Sequence, residues 1–264
     1  KPYSEKYAAE SLLANVCARG FLLLFYTDND LSFNVIPLAT GTYKFIMRSF
    51  GFVSSFSDFY YFTGVYNYYR EEYPKVHPVY KTVASLFPPG DKERGLAEIA
   101  RAADMSIFLK AEAYSLLSWI YTGFENNYTQ ALFYSRKLTE KYPENNMFRA
   151  LHIKNLLLLK QYDQAEEYLN TTGNNSASRY YDAQALIFKG IIQEKKYRNF
   201  ALAKKFYEEG ISSASFFGNY ANEYCGYAYM GLSRICEYYG DRTCRKVYRK
   251  KGSDMIDFKK VNFD

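Results

Sequence analysis

Apolar positions recur at three- and four-residue steps through most of the chain, which is the period of a helix. Tyr114, Leu117, Ile120, Tyr121 and Phe124 form one such stripe, interrupted by Gly123 and Asn126-Asn127. Tyr128, Ala131, Leu132, Ser135 and Leu138 form the next, and Pro143 stops it because proline cannot continue a helix interior. A second pair of helices is predicted from Asn146: Phe148, Leu151 and the leucines at 156–159, then Tyr162, Ala165, Tyr168 and Leu169, closed by the loop-forming cluster Gly173-Asn174-Asn175-Ser176. A third has Leu186, Ile187, Phe188, Ile191 and Ile192 around Gly190, followed by Ala203, Tyr207 and Gly210. The fourth has Gly231 within 224–239, a turn at Gly240-Asp241, then Cys244, Tyr248 and Lys251.

The pairs repeat. Tyr128 and Tyr162 stand 34 residues apart, as do Ala131 and Ala165, while Ala165 to Ala203 is 38. A turn near 196–200 and the Gly173 loop absorb the difference. Upstream, 55–73 carries Phe56, Phe59, Tyr60, Tyr61, Phe62, Tyr66, Tyr68, Tyr69 and Tyr73 on all sides, and a helix apolar all round is normally buried. Its partner at 91–103 has Gly95, Ile99 and Ala102 at the same small–large–small spacing. Between them, 74–90 holds Pro74, Pro78, Pro88 and Pro89 and reads as an insertion with one short helix near 79–86. Residues 4–50 predict two or three helices broken at Gly20, Pro37 and Gly41. The expected organisation is an all-α chain: an N-terminal helical cap at 1–54, a degenerate helix pair at 55–108 containing the 74–90 insertion, four helix pairs at 109–258 and a tail at 259–264.

Composition narrows the class. With 48% apolar residues and 19% aromatic, including 29 Tyr and 21 Phe but one Trp, the chain is not disordered. The net charge of +6 is unevenly placed, with eight Lys/Arg against three Asp from Arg242 onward. Arg242, Arg245, Lys246, Arg249, Lys250 and Lys251, with Val247, Tyr248 and Met255, predict a basic amphipathic helix. It serves either as the polar outer face that a terminal repeat requires, or as a surface for anionic lipid, nucleic acid or an acidic protein, with no sequence-specific nucleic acid indicated.

Four cysteines without a CxxC, and only His77 and His152, argue against a structural zinc site. Cys236 and Cys244 fall on successive helices and could face each other, but free buried thiols are the expectation for all four. The apolar runs at 21–26 and 156–159 are short of the ~20 residues a bilayer span needs, so no transmembrane helix is expected. Residues 127–129, 170–172 and 174–176 match the glycosylation acceptor pattern. The chain begins at Lys1. Removal of an export signal, giving a periplasmic or outer-membrane-associated protein, and trimming of a cytoplasmic one both fit that start.

The middle and C-terminal regions resemble the tetratricopeptide repeat family. The best match is 111–143, where Tyr114, Leu117, Ser118, Tyr121, Tyr128, Ala131, Leu138 and Pro143 sit near the family's signature positions, allowing one inserted residue. The resemblance covers 109–258 and extends weakly to 55–104. The stretch Gly90-Asp91-Lys92-Glu93-Arg94-Gly95-Leu96 also resembles one found in bacterial exported repeat proteins. The family implies a right-handed superhelix of antiparallel helix pairs, and a non-catalytic scaffold holding a protein or peptide in a concave groove. First-helix positions mapping to that groove are Tyr61, Tyr68, Tyr69, Trp119, Lys154, Glu194 and Lys195. The chain departs from the family where Tyr114 holds the Trp position and Ile153 replaces the small residue found as Ser118, Gly190 and Gly231. Of Ser115, Trp119, Ala150 and Lys154, only Lys154 fits the carboxylate clamp of some members.

Catalytic signals are sparse. No nucleotide loop, nucleophile elbow, zinc-protease motif or cofactor motif occurs. Glu71 and Glu72 point about 100° apart on a helix and cannot flank one bond. His77 precedes Pro78 in a loop and is the one candidate general base; His152 lies on an otherwise apolar helix. Two alternatives stand beside the scaffold reading: a carbohydrate-binding exported module using the Tyr-rich first helices, and a helical enzyme using His77.

Overall fold

In the computed structural model, residues 2–29, 31–171 and 178–264 are described. The Gly173–Ser176 loop and the acceptor site at Asn174 lie outside them, as does Thr172 of the Asn170 site. The described chain is all-helical, with no strand, and its helices pack in adjacent pairs. The elements are α1 (Pro2–Asp28), α2 (Ser32–Ser49), α3 (Phe59–Val76), α4 (Lys81–Ala84), α5 (Lys92–Met105), α6 (Lys110–Gly123), α7 (Tyr128–Lys141), α8 (Asn146–Leu158), α9 (Tyr162–Thr171), α10 (Arg179–Lys195), α11 (Phe200–Ala214), α12 (Asn222–Tyr238) and α13 (Arg242–Met255). The chain divides into two compact units, Lys1–Leu117 and Ser118–Asp264, with the boundary inside α6.

In the first unit, Ala9, Leu12, Leu13 and Val16 of α1 form a core with Phe59, Phe62 and Leu109. α3 and α5 cross where both lack a side chain. A Cβ at Gly95 would lie 2.6 Å from the Tyr68 backbone nitrogen, and one at Gly64 would lie 2.9 Å from the Gly95 carbonyl oxygen. Asp58, just before α3, is fully buried and does not cap its own helix. Its carboxylate instead accepts from the backbone N–H groups of Ile107, Phe108 and Leu109 at 2.8–3.0 Å, which fixes the approach to α6. The proline-containing insertion is tied back to α3: Tyr66 donates to the Pro88 carbonyl, Arg70 to that of Phe87, and Glu71 accepts from the Gly90 N–H.

Three predicted breaks are absent. α1 runs through Gly20, and α2 runs through both Pro37 and Gly41. The proline ring turns away the carbonyl of Phe33, but Phe33 and Pro37 are exposed, so water can satisfy that group. Continuity of α1 also lengthens the apolar run counted at 21–26. Tyr7–Tyr26 is 20 residues with a mean hydropathy of 1.4, long and apolar enough to cross a membrane by length and composition.

The second unit repeats one turn. Each helix pair is joined by a residue with positive φ and then the residue preceding the next helix: Asn126-Asn127, Lys160-Gln161, Arg198-Asn199 and Gly240-Asp241. The N–H of the second residue closes back onto the preceding helix. Asn127 and Asn199 reach the carbonyl six residues earlier, Gln161 and Asp241 the one five earlier. The latter is the Schellman geometry, and the former is the same turn with one residue added. Asn127, Asn199 and Asp241 then cap the following helix through their side chains.

Packing in this unit centres on Tyr207. Its ring is fully buried between α10 and α12. A Cβ at Gly190 would meet that ring at 2.7 Å, and one at Gly231 would be closer still. A second, polar device joins α6, α7 and α8: buried Asn155 donates to Ser118 Oγ at 2.9 Å and to the Ala131 carbonyl at 3.2 Å, while its Oδ1 accepts from Thr122 at 2.9 Å. The terminal segment is no loose tail, because Val261 and Phe263 are buried.

Two substitutions test these joints by thermal or urea denaturation. Asp58→Ala leaves three N–H groups without their carboxylate and is expected to cost the first unit about 3 kcal/mol. Gly231→Ala drives a methyl into the Tyr207 ring and is expected to cost about 1–3 kcal/mol; an unchanged transition in either variant would contradict the packing described.

Candidate functional site

The seven predicted groove residues do not form one open surface. Tyr68, Lys154 and Glu194 are interior side chains. Lys154 Nζ pairs with Glu223 Oε1 at 3.2 Å, and Glu223 also accepts from Tyr227. Glu194 accepts from Tyr207 at 2.7 Å and from Arg234 at 2.6 Å, with Lys195 at 3.3 Å. Burial pushes the Glu194 carboxyl up, yet the Arg234 hydrogen bonds and charge, with Lys195 and Tyr207, hold it below the ordinary carboxylate range. These charges are structural because their partners lie 40 and 69 residues away in sequence, where the local pattern of a first helix carries no trace of them.

The aromatic candidates are engaged as well. Tyr61 lies against Phe62, and burial, then the charges of Glu112 and Cys17, push its hydroxyl up to about 12. Tyr69 packs edge-on to Tyr68. Trp119 is half-buried against Phe124 and Phe258, with ring centroids at 5.3 and 5.2 Å. His77 sits in an aromatic cluster, 4.5 Å from the Tyr73 ring centroid and 6.5 Å from that of Tyr80. Glu71 and Glu72 are committed to the insertion and to Lys75 and Lys92. No group of three metal-ligating side chains occurs among the described residues.

The basic C-terminal helix is different. α12 and α13 cross at Gly226 and Gly252, where a Cβ on Gly252 would lie 2.9 Å from the Gly226 carbonyl. Cys236 and Cys244 are bridged across this pair, with Cα atoms 5.8 Å apart, which corrects the expectation of free thiols there; Cys17 and Cys225 are free. The helix crossing brings the two cysteines within bridging distance. After α13 the chain turns at buried Ile256, and Lys259 donates to the carbonyls of Ser253 and Ile256 at the helix end. An ammonium there satisfies carbonyls that the helix leaves open.

This arrangement forms an open cleft of about 560 Å³. Lys246, Arg249, Lys250 and Lys259 line it with a single acid, Asp254, and Met230 and Ile256 supply an apolar floor. Among the described residues, Lys246, Arg249 and Lys250 have no ion pair within 4 Å, whereas Arg245 is paired with Glu237 at 3.3 Å and Lys251 covers the Tyr229 ring. Arg242 is exposed at the start of the helix. Of the predicted basic face, Lys246, Arg249 and Lys250 therefore converge on one cleft, and Lys259 joins them from the terminal segment, a contribution that the helical pattern could not reveal. Chemically, the cleft suits an anionic group carrying an apolar attachment.

His152 is buried inside the second unit, with Nδ1 3.0 Å from Ser135 Oγ. Burial and then the charge of Arg136 lower its pKa from 6.5 to about 4. The unfolded chain thus binds this proton near pH 6.5 and the folded chain only near pH 4. Stability from this group is present above pH 6.5 and is lost as pH falls through that window, on the order of 3 kcal/mol. His152→Gln should lack this increment of acid sensitivity when denaturation is compared at pH 7 and pH 4.5; identical pH dependence in both proteins would refute it.

Comparison with protein-family models, with curated proteins and with solved structures finds no match for this chain.

Proposed function

We propose that the chain is a non-catalytic helical-repeat scaffold, built as a tetratricopeptide-like right-handed superhelix, that binds an acidic segment of a protein or peptide partner. The observation that carries the reading is the α13 cleft, with its unpaired cations above an apolar floor. The repeated turn of the second unit supports the repeat architecture, since four helix pairs share one connection geometry. The Cys236–Cys244 bridge supports the exported alternative for its location, because disulfides persist in oxidising compartments.

An acidic segment with interspersed Leu or Phe places carboxylates on the cations and apolar groups on Met230 and Ile256. The test is a fluorescence-anisotropy titration of the full chain with such a peptide and with its Gln/Asn counterpart. The acidic peptide should bind more tightly, with affinity falling as salt rises. The variant Arg249→Glu/Lys250→Glu should weaken binding by about 10- to 100-fold, equivalent to about 1.4–2.8 kcal/mol. Equal binding of the neutral peptide, or no effect of the double reversal, would refute the proposal.

A further inference from the structure

The first unit carries a feature that the scaffold reading does not use. α1 and α2 form a helical hairpin whose base is built into the core through Leu12, Leu13 and Val16 on α1 and Thr42 and Ser49 on α2. Between Val16 and Thr42 no described residue is buried. The far part is nevertheless apolar: Phe21 is 63% exposed, Leu24 60%, Phe25 54% and Phe33 95%, with Leu22 and Leu31 also exposed. At 100° per residue, Phe21, Leu22, Leu24 and Phe25 span an arc of about 160° on α1. The less exposed Gly20, Leu23 and Tyr26 occupy the opposite side. The exposed arc is therefore one continuous stripe, wider than the ~100° by which a helix packs on a neighbour.

We propose that this stripe is a self-association surface, paired two-fold and antiparallel with the same hairpin of a second copy of the chain. Two observations select that occupant. The first is size. Weighting side-chain areas of about 150–250 Å² by these exposures leaves on the order of 600 Å² of uncovered apolar surface on each hairpin. That is at the upper limit for a monomer's largest patch, and with its polar margins it approaches the ~800 Å² per partner of a stable interface.

The second is charge. From Arg19 to Arg48 the only charged residues are Arg19, Asp28, Asp30, Lys44 and Arg48. The cations lie at the base of the hairpin. Asp28 closes α1, nine residues and about 14 Å beyond Arg19. An antiparallel pairing sets the Asp28 end of α1 beside the basic base of the other copy while the apolar stripes meet between them, and an isologous contact closes as a dimer. A bilayer is the competing occupant, but α1 ends at Asp28, and burying that end of the helix in hydrocarbon would take an ionisable residue out of water.

Sedimentation equilibrium of the full chain from 1 to 100 µM tests the proposal, and the expected mass is twice the 30.8 kDa of one chain. Leu24→Asp/Phe25→Asp should leave the circular-dichroism spectrum unchanged, since both residues are exposed, and weaken dimerisation at least about 100-fold. Phe33→Asp is an independent second variant. Lys44→Glu and Asp28→Lys should each weaken the dimer, and the two combined should restore it. A monomer at 100 µM overturns the proposal, as does a dimer indifferent to Leu24→Asp/Phe25→Asp, an open series of larger species, or failure of the charge exchange to rescue. Flotation of a monomeric chain with phosphatidylglycerol-containing vesicles would overturn it in favour of a lipid surface.

Discussion

Tyr207 sets the terms for the second unit. A phenol ring placed between two packed helices needs room on both, and Gly190 and Gly231 supply it on successive first helices. The hydroxyl then lies in the interior, where an unpartnered polar group costs roughly 1–3 kcal/mol. Glu194 accepts from it, and burial of that carboxylate in turn requires a cation. Arg234 provides one through two hydrogen bonds, from Nε and Nη2, and its Nη1 donates to the Asn262 carbonyl and to Asp264. One aromatic side chain thus determines two glycines, a buried ion pair and the docking of the chain's last residues. Removing either member of such a pair typically costs about 3–5 kcal/mol, more than the pair itself contributes, so the arrangement behaves as a unit.

The two units solve close helix packing by related means. In the first, Gly64 faces Gly95 directly, and the backbones of α3 and α5 nearly touch. In the second, the glycines make room for a ring. Among its described residues the first unit shows no repeated turn, and buried Asp58 orders one connection by collecting three consecutive N–H groups ahead of α6. A carboxylate used in this way acts on a loop some fifty residues away, whereas the asparagine and aspartate caps of the second unit act within three residues.

That difference in reach explains what the sequence revealed. Helical period, Pro143, Gly123 and Gly240-Asp241 are local signals, and the helix pairs from α6 to α13 fall where those signals put them. The spacing Ala203, Tyr207, Gly210 correctly marked a tightly packed second helix. Pro37 misled because its exposed backbone can be hydrated, and Gly20 and Gly41 because a single glycine costs a helix interior only about 1 kcal/mol, too little to end it. Lys154, Glu194 and Tyr68 misled for another reason: a first-helix position does not say whether its side chain meets a partner from a distant helix. The polar network around Asn155 and the burial of Val261 and Phe263 were invisible on the same grounds. Of the candidate site, the cations of α13 were legible as a stripe; their convergence with Lys259, Met230 and Ile256 was not, because it depends on how the chain folds back after α13.

The cleft itself has a physical peculiarity. Like charges gathered around one cavity repel, and folding alone gains nothing from leaving Lys246, Arg249 and Lys250 without acids when Glu237 on the facing helix shows that α12 can supply one to Arg245. Nor does α13 need those cations to stay in place. The Gly226–Gly252 crossing, the Cys236–Cys244 bridge, the Asp241 cap and the Lys259 closure of its last carbonyls hold the helix independently of them. Position and charge are thus separated in this helix: one set of residues fixes where it lies, and another is free to meet a ligand. A solvated end face needs cations only on its outside, as Arg242 illustrates. Lys246, Arg249 and Lys250 are exposed like Arg242, but they rim a cleft that Met230 and Ile256 also line, and that combination of charge and apolar surface suits an amphipathic anion.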